Sequence, residues 1–570
     1  MASIIKKKKK NQFYYYLVES ARVNGKPRIV NQKYLGRAED IAKVIEGKSD
    51  LDNPKHSIVL EFGAVCALYD IAKQLGVVEI IDKYAPKREQ GLSVGEYMLL
   101  AAINRVVNPV SKHQIGDWYT KTMLYKLLPA QKNLLSSQRF WDNMSLLSES
   151  AINNFEDEFT RLIVNKYNLS TDCLIYDTTN FFTYVDTLSS SKLPQRGHSK
   201  EKRSDLKIVG LAMMVTPDFN VPLFHEVYPG NDYDSVQFKA VISKLKDRFI
   251  KICGKPRNVT LVFDKGNNSL ENMKLIKDGD LPFNVVGSLK LSEQKALLEI
   301  PSREFEPVSG NGLENVKVYR TKLSVYGQEM TVLVVRNPAL LVGQMQGITK
   351  NIEKSTLKLY KLQQSLINRA TGRVTKGRKP TIASVQKNID NILHGEFMSD
   401  IFKTNVYERE GFAHLDFSLD IKQLEYIQEH YLGKTILFTD NHGWPNEKII
   451  STYRSQYHIE DAFKQMKNTT FLGFRPIHHW TDQKIRVHAF YCVLALRLCC
   501  LLNHILSDNG IKISINKMLS MLSNIKQVIT IYPKKGKSKK DRECFSLTKL
   551  TPEEKRVLEI LDIKKYALGG

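Results

Sequence analysis

The stretch "DCLIYDTTNFFTYV", residues 172–185, decides how the chain reads. Its apolar and β-branched run predicts a strand, yet Asp177 stands inside it. A carboxylate there is costly to bury unless it is paired, bound to metal or opened to a cleft. A second run, "NVTLVFDKG" (258–266), ends the same way in Asp264. Between the two lie "LKIVGLAMMVT", "VPLFHEVYPG" and a helix predicted over 235–250, and a helix from Leu270 and the apolar "PFNVVGSL" follow. Strands in series, then helix and strand in alternation, indicate an α/β fold on a mixed sheet. Acids at strand ends also cap turns, so each aspartate taken alone has a structural reading.

Working outward, "FYYYLVESARVNGKPRIVNQKYLG" (13–36) gives a hairpin signal with an Asn-Gly turn. From about 60 to 168 apolar residues recur at three and four spacing, which predicts a helical domain. On the other side, 316–336 predicts a hairpin turning near Tyr326 and Gly327, followed by helices over 338–370 and 381–394. This reads as a β-rich insertion with a helical excursion, because "KTILFTDN" (434–441) again resembles a core strand. The last 60 or so residues suggest helices around a basic loop.

The chain has 570 residues, enough for several domains, and 84 Lys and Arg against 60 Asp and Glu give a net charge of +24. An excess of that size favours a polyanionic partner. Basic clusters fall at 6–10, 196–203, 373–379 and 534–542, where solvated tails or loops are the default reading. Seven cysteines, at 66, 173, 253, 492, 499, 500 and 544, form no C-x-x-C pair and read as reduced, mostly packed thiols of a cytoplasmic protein. "MASII" before the lysine run is no signal peptide. "FYCVLALRLCCLL" (490–502) is shorter than the ~20 residues that span a bilayer and contains Arg497, so it predicts a buried helix and no membrane partner.

A third acid comes from "YRSQYHIEDAFKQMK" (453–467). Read as one helix, it sets Tyr453, Glu460 and Lys467 on one face at intervals of seven, with Ile459, Ala462, Phe463 and Met466 as the packed stripe. The plain alternative is a solvated surface. With Asp177 and Asp264, however, Glu460 can complete an oxygen-donor set for two Mg²⁺ ions, and two ions ~3.5–4 Å apart stabilise both oxygens of an in-line displacement at phosphorus.

These motifs, "YDTTN", "FDKG", "YPGNDYDS" (228–235) and the Tyr453, Glu460 and Lys467 spacing, resemble the DDE transposases of bacterial insertion sequences. In particular they resemble the insertion-sequence-four branch, whose third acid lies in a helix of the form Tyr, two residues, Arg, three residues, Glu, six residues, Lys. The departure is Gln456, a neutral amide where that branch carries Arg. The resemblance implies an RNase H-like mixed-sheet core interrupted by the β-rich insertion. Asp177, Asp264 and Glu460 would hold two Mg²⁺ ions, with Mn²⁺ able to substitute. Tyr453, Lys467, Lys265 and the Gln456 position would contact phosphate.

It further implies a homodimer synapsing terminal inverted repeats with target double-stranded DNA, and strand cleavage followed by joining. The corresponding divisions are a DNA-binding hairpin and helical region (1–168), the first part of the core (169–293), the insertion (294–431), the second part of the core (432–510) and a basic helical end (511–570). Two alternatives stay open: an RNase H-like nuclease without strand transfer, and a catalytically silent DNA-binding relative.

Overall fold

A computed structural model describes the chain except for residues 1, 10–11, 24–25, 46–52, 87–90, 187–188, 200–202, 204, 233, 254–257, 279–281, 469, 476, 535–539 and 570. The described residues fall into two compact units, Met1–Ala64 with Lys121–Met123 and Met521–Gly570, and Val65–Thr120 with Leu124–Ser520.

In the first unit, β1 (Ala2–Lys9), β2 (Gln12–Val23) and β3 (Lys26–Gly36) form an antiparallel sheet in the order 1-2-3. The expected hairpin is β2 with β3, and Val23 pairs with Lys26 across a two-residue connection whose Asn24 and Gly25 lie outside the described residues. Lys6 to Lys9 are not the solvated tail expected of a lysine run, because they pair with 12–15 in β1. Helix α1 (Ala38–Ile45) packs on β3, and β4 (His56–Glu61) joins strands Lys526–Tyr532 and Arg542–Leu547 in a second sheet. The C-terminal region thus holds the expected helices, Ile515–Asn524 and Pro552–Ile560, but sets strands and not helices directly beside its basic segment. "KQVITIY" (526–532) is rich in β-branched residues that suit a pleated, half-buried surface.

In the second unit, α2 (Val94–Val107) opens on a Ser93/Glu96 capping box and is buried on nearly every side. Both it and α3 (Glu149–Tyr167) pack on the short helix Val77–Tyr84, among the helices expected over 60–168. A nine-stranded mixed sheet follows, built in chain order from β5 (Cys173–Thr183), β6 (Lys207–Val215), β7 (Pro222–Pro229), helix α4 (Asp234–Cys253), β8 (Thr260–Phe263), β9 (Asn284–Leu289), β10 (Glu306–Pro307), β11 (Lys317–Val325) and β12 (Gln328–Arg336). The chain then leaves the sheet through α5 (Pro338–Ala370) and the hairpin of β13 (Phe402–Arg409) and β14 (Phe412–Leu419), and returns as β15 (Lys434–Thr439). The sheet order is 10-11-12-15-9-8-5-6-7.

The hairpin of β11 and β12 therefore belongs to the central sheet and not to a separate insertion. Residues 330–335 are buried on both faces, which marks an interior strand. The excursion proper has its own core, with Leu359, Leu366, Ile389 and Leu415.

Helices α6 (Asn446–Arg454) and α7 (Tyr457–Lys467) correct the one-helix reading of 453–467. The Ser455 hydroxyl donates to the Thr452 carbonyl at 2.6 Å, and the Gln456 amide reaches only three residues back, to Tyr453. Serine bonding back to the preceding turn disrupts a helix in this way. Helix α8 (Asp482–Asp508) extends well beyond the 490–502 stretch and is long and apolar enough to cross a bilayer, but 83% of its apolar window is buried inside the protein. It packs on α2, α3 and β7.

Candidate functional site

Strands β5 and β8 run parallel, with Tyr176 beside Phe263. One step on, Asp177 and Asp264 occupy the next level of neighbouring strands, and the Asp264 backbone is still extended (φ −74°, ψ 155°). Tyr176 and Phe263 both pack around Phe238 in the core, at centroid distances of 5.1 and 5.4 Å. Since successive side chains alternate, both aspartates face the opposite side of the sheet, on strands about 4.8 Å apart. Asp177 is half-buried and Asp264 exposed. Each carboxylate has one oxygen anchored locally, accepting the Thr178 or Lys265 backbone N–H at 2.7 Å.

Helix α7 packs on β5, hiding Ile459, Ala462, Phe463 and Met466 and leaving Glu460 exposed. The Lys467 ammonium lies 5.7 Å from the ring centre of Phe181, which is four residues beyond Asp177 and thus on the same face of β5. The Tyr453 hydroxyl donates to Ser288 Oγ on β9 at 2.7 Å. Burial raises the Tyr453 pKa and the Ser288 bond lowers it, while the negative charges of Asp264 and Glu460 raise it further. That phenol therefore sits within electrostatic reach of the second and third acids.

Among the described residues, no group of three or more His, Cys, Asp or Glu side chains is placed to hold a metal ion. The sheet sets the two aspartates at one level of adjacent strands, and Glu460 is tied to the second of them only through the Tyr453 phenol on which both charges act. All three offer hard carboxylate oxygens, the donor chemistry that suits Mg²⁺ or Mn²⁺.

The other expected phosphate contacts are scattered. Lys265 is exposed beside Asp264. Gln456 lies at the junction of α6 and α7, with Nε2 buried and lacking a hydrogen-bond partner. Arg454 is committed elsewhere, donating to the Gly312 carbonyl at 2.7 Å.

Three contributors escaped the sequence reading. Ser288 holds Tyr453, and Phe181 lies under Lys467. Arg475 donates to the Lys467 carbonyl at 2.7 Å while lying over Phe182 at 4.8 Å. A lone serine in the apolar run "NVVGSL" was the one available signal for Ser288. His479 is held down at about 3 by burial and by the charges of Lys112 and Arg105, so it stays neutral at ordinary pH.

The Tyr453 bond is testable by denaturant unfolding. Ser288→Ala strands a largely buried phenol and should cost about 1–3 kcal/mol, Tyr453→Phe about 1 kcal/mol, and the double variant less than the sum.

No protein-family model matches the chain, and no curated protein matches it. Among solved structures, the chain is similar to a piggyBac transposase seen by cryo-electron microscopy in a synaptic complex with hairpin DNA. The two share 9% identity with a TM-score of 0.38, over 82% of each chain.

Proposed function

We propose that the chain is a DNA transposase of the DDE class, of the bacterial insertion-sequence type, which cuts DNA strands at the ends of a mobile element and joins them to a target. The observation that carries this reading is the placement of Asp177 and Asp264 at one level of adjacent parallel strands, with Glu460 and Asp264 both felt by Tyr453. The mixed sheet with its acids on one face supports an RNase H-like core. The net charge of +24 supports a polyanionic partner.

Mg²⁺ or Mn²⁺ held by Asp177, Asp264 and Glu460 would supply charge stabilisation to the attacking and leaving oxygens of a phosphodiester. On this account Glu460 would complete that ligand set with DNA and metal bound. Tyr453 and Lys467 line the approach, and Lys265 offers a point charge to phosphate.

The test incubates the full chain, with Mg²⁺ or Mn²⁺, with a plasmid carrying the DNA that flanks its own coding sequence. Cuts at the element ends exposing a 3′-OH, followed by joined products, are expected. Cuts without joining would make it a nuclease, and binding without cuts a silent DNA-binding protein.

A further inference from the structure

The sheet β1–β3 presents a face that suits a different substrate from duplex ends. Cross-strand neighbours share a face, so the pairs Lys8 with Phe13, Lys6 with Tyr15 and Leu17 with Lys33 set a row of Phe13, Tyr15 and Leu17 on the middle strand β2. Lysines flank that row on both sides. Phe13 is 48% and Leu17 36% exposed, and the Lys6 and Lys8 ammonium groups lie 5.5 and 6.0 Å from the centre of the Phe13 ring.

Exposed apolar side chains gathered on one face mark an interaction surface. Residues 1–37 carry ten Lys and Arg against one acid, Glu19, so a second copy of the same face would be repelled. A duplex offers phosphates but keeps its bases stacked inside. A single strand offers both, its bases for an aromatic row and its phosphates for the lysines along the edges.

We propose that this face binds single-stranded DNA, with bases stacked on Phe13 and Tyr15 and phosphates against Lys6, Lys8 and Lys33. The inference does not rest on the cleavage reading, because a chain that binds single strands here and never cuts DNA keeps this one and loses the other.

The experiment measures fluorescence anisotropy of the full chain with a labelled 20-nucleotide thymidine strand and with a blunt duplex of the same length. The single strand should bind more tightly. Phe13→Ala should weaken it roughly tenfold, with Phe13→Tyr close to wild type. Replacing Lys6 and Lys8 together by Ala should reduce its salt slope by about 1.4. The duplex should respond little to the Phe13 changes. Unchanged single-strand affinity in Phe13→Ala would overturn the proposal, as would equal losses on strand and duplex, or Phe13-dependent binding to anionic vesicles without any effect on the strand. Because Phe13 is largely exposed, far-UV circular dichroism should show every variant folded.

Discussion

Asp177→Asn is expected to abolish strand cleavage while DNA affinity and folding persist. Asparagine keeps the size of the side chain and the oxygen that accepts the Thr178 N–H, so β5 is left undisturbed. What it removes is negative charge on the face shared with Asp264. Groups that merely orient metal ligands are worth 10- to 100-fold, so if Asp177 is a ligand, as proposed, neutralising it should lower the cleavage rate by more than about a hundredfold. The check pairs a nicking assay with anisotropy on the same DNA. If cleavage, binding and the unfolding midpoint all fall together, Asp177 is a structural residue.

The largest stability effect is expected far from those acids. Glu156 on α3 is fully buried and accepts from Arg497 Nη2 on α8 at 2.5 Å and from Arg248 Nη2 on α4 at 3.1 Å, with His225 Nδ1 on β7 2.7 Å away. Arg497 also donates to the Pro222 and Leu223 carbonyls at 2.7 Å, tying α8 to the edge strand of the sheet. Glu156→Ala would leave a buried guanidinium without its countercharge, at a cost of about 3–5 kcal/mol in denaturant unfolding. Replacing Glu156 and Arg497 together by apolar residues of similar volume should cost less, because no uncompensated Arg497 charge is left.

Burial pushes the Glu156 carboxyl up, but His225, Arg497 and Arg248 outweigh it and hold the group far below the ordinary carboxylate range. A depressed folded pKa stabilises above the unfolded value of about 4.3 and loses that contribution as pH falls toward the folded value. Wild-type stability should therefore drop below about pH 4 more steeply than that of the doubly apolar variant.

What could be read in the sequence follows the range of each interaction. The strand positions of Asp177 and Asp264 were legible because each interrupts or ends an apolar run, a signal contained within ten residues. The helical stripe of Ile459, Phe463 and Met466 was legible for the same reason. The break between α6 and α7 was not, since it depends on which way the Ser455 hydroxyl turns.

Strand pairing is less local still. The hairpin of β11 and β12 was correctly delimited near Tyr326 and Gly327, but its place in the sheet depends on Val332 meeting Phe438, over a hundred residues away. Arg497 was visible as an oddity in an apolar helix, while its partner Glu156 lies 341 residues earlier. The lysine run looked like a tail because its pairing with the tyrosine stretch satisfies backbone groups, and composition does not register backbone pairing.

The central claim is that Asp177, Asp264 and Glu460 meet around metal when DNA is bound. Iron(II) placed in a Mg²⁺ site generates hydroxyl radicals that cut the nearby polypeptide, so the cut positions map the residues around the ion. With the flanking DNA present, the account predicts cuts near 177, 264 and 460 together, suppressed by excess Mg²⁺ and lost in Asp177→Asn. Cuts near the two aspartates without 460, or no Mg²⁺-sensitive cuts near either, would contradict it.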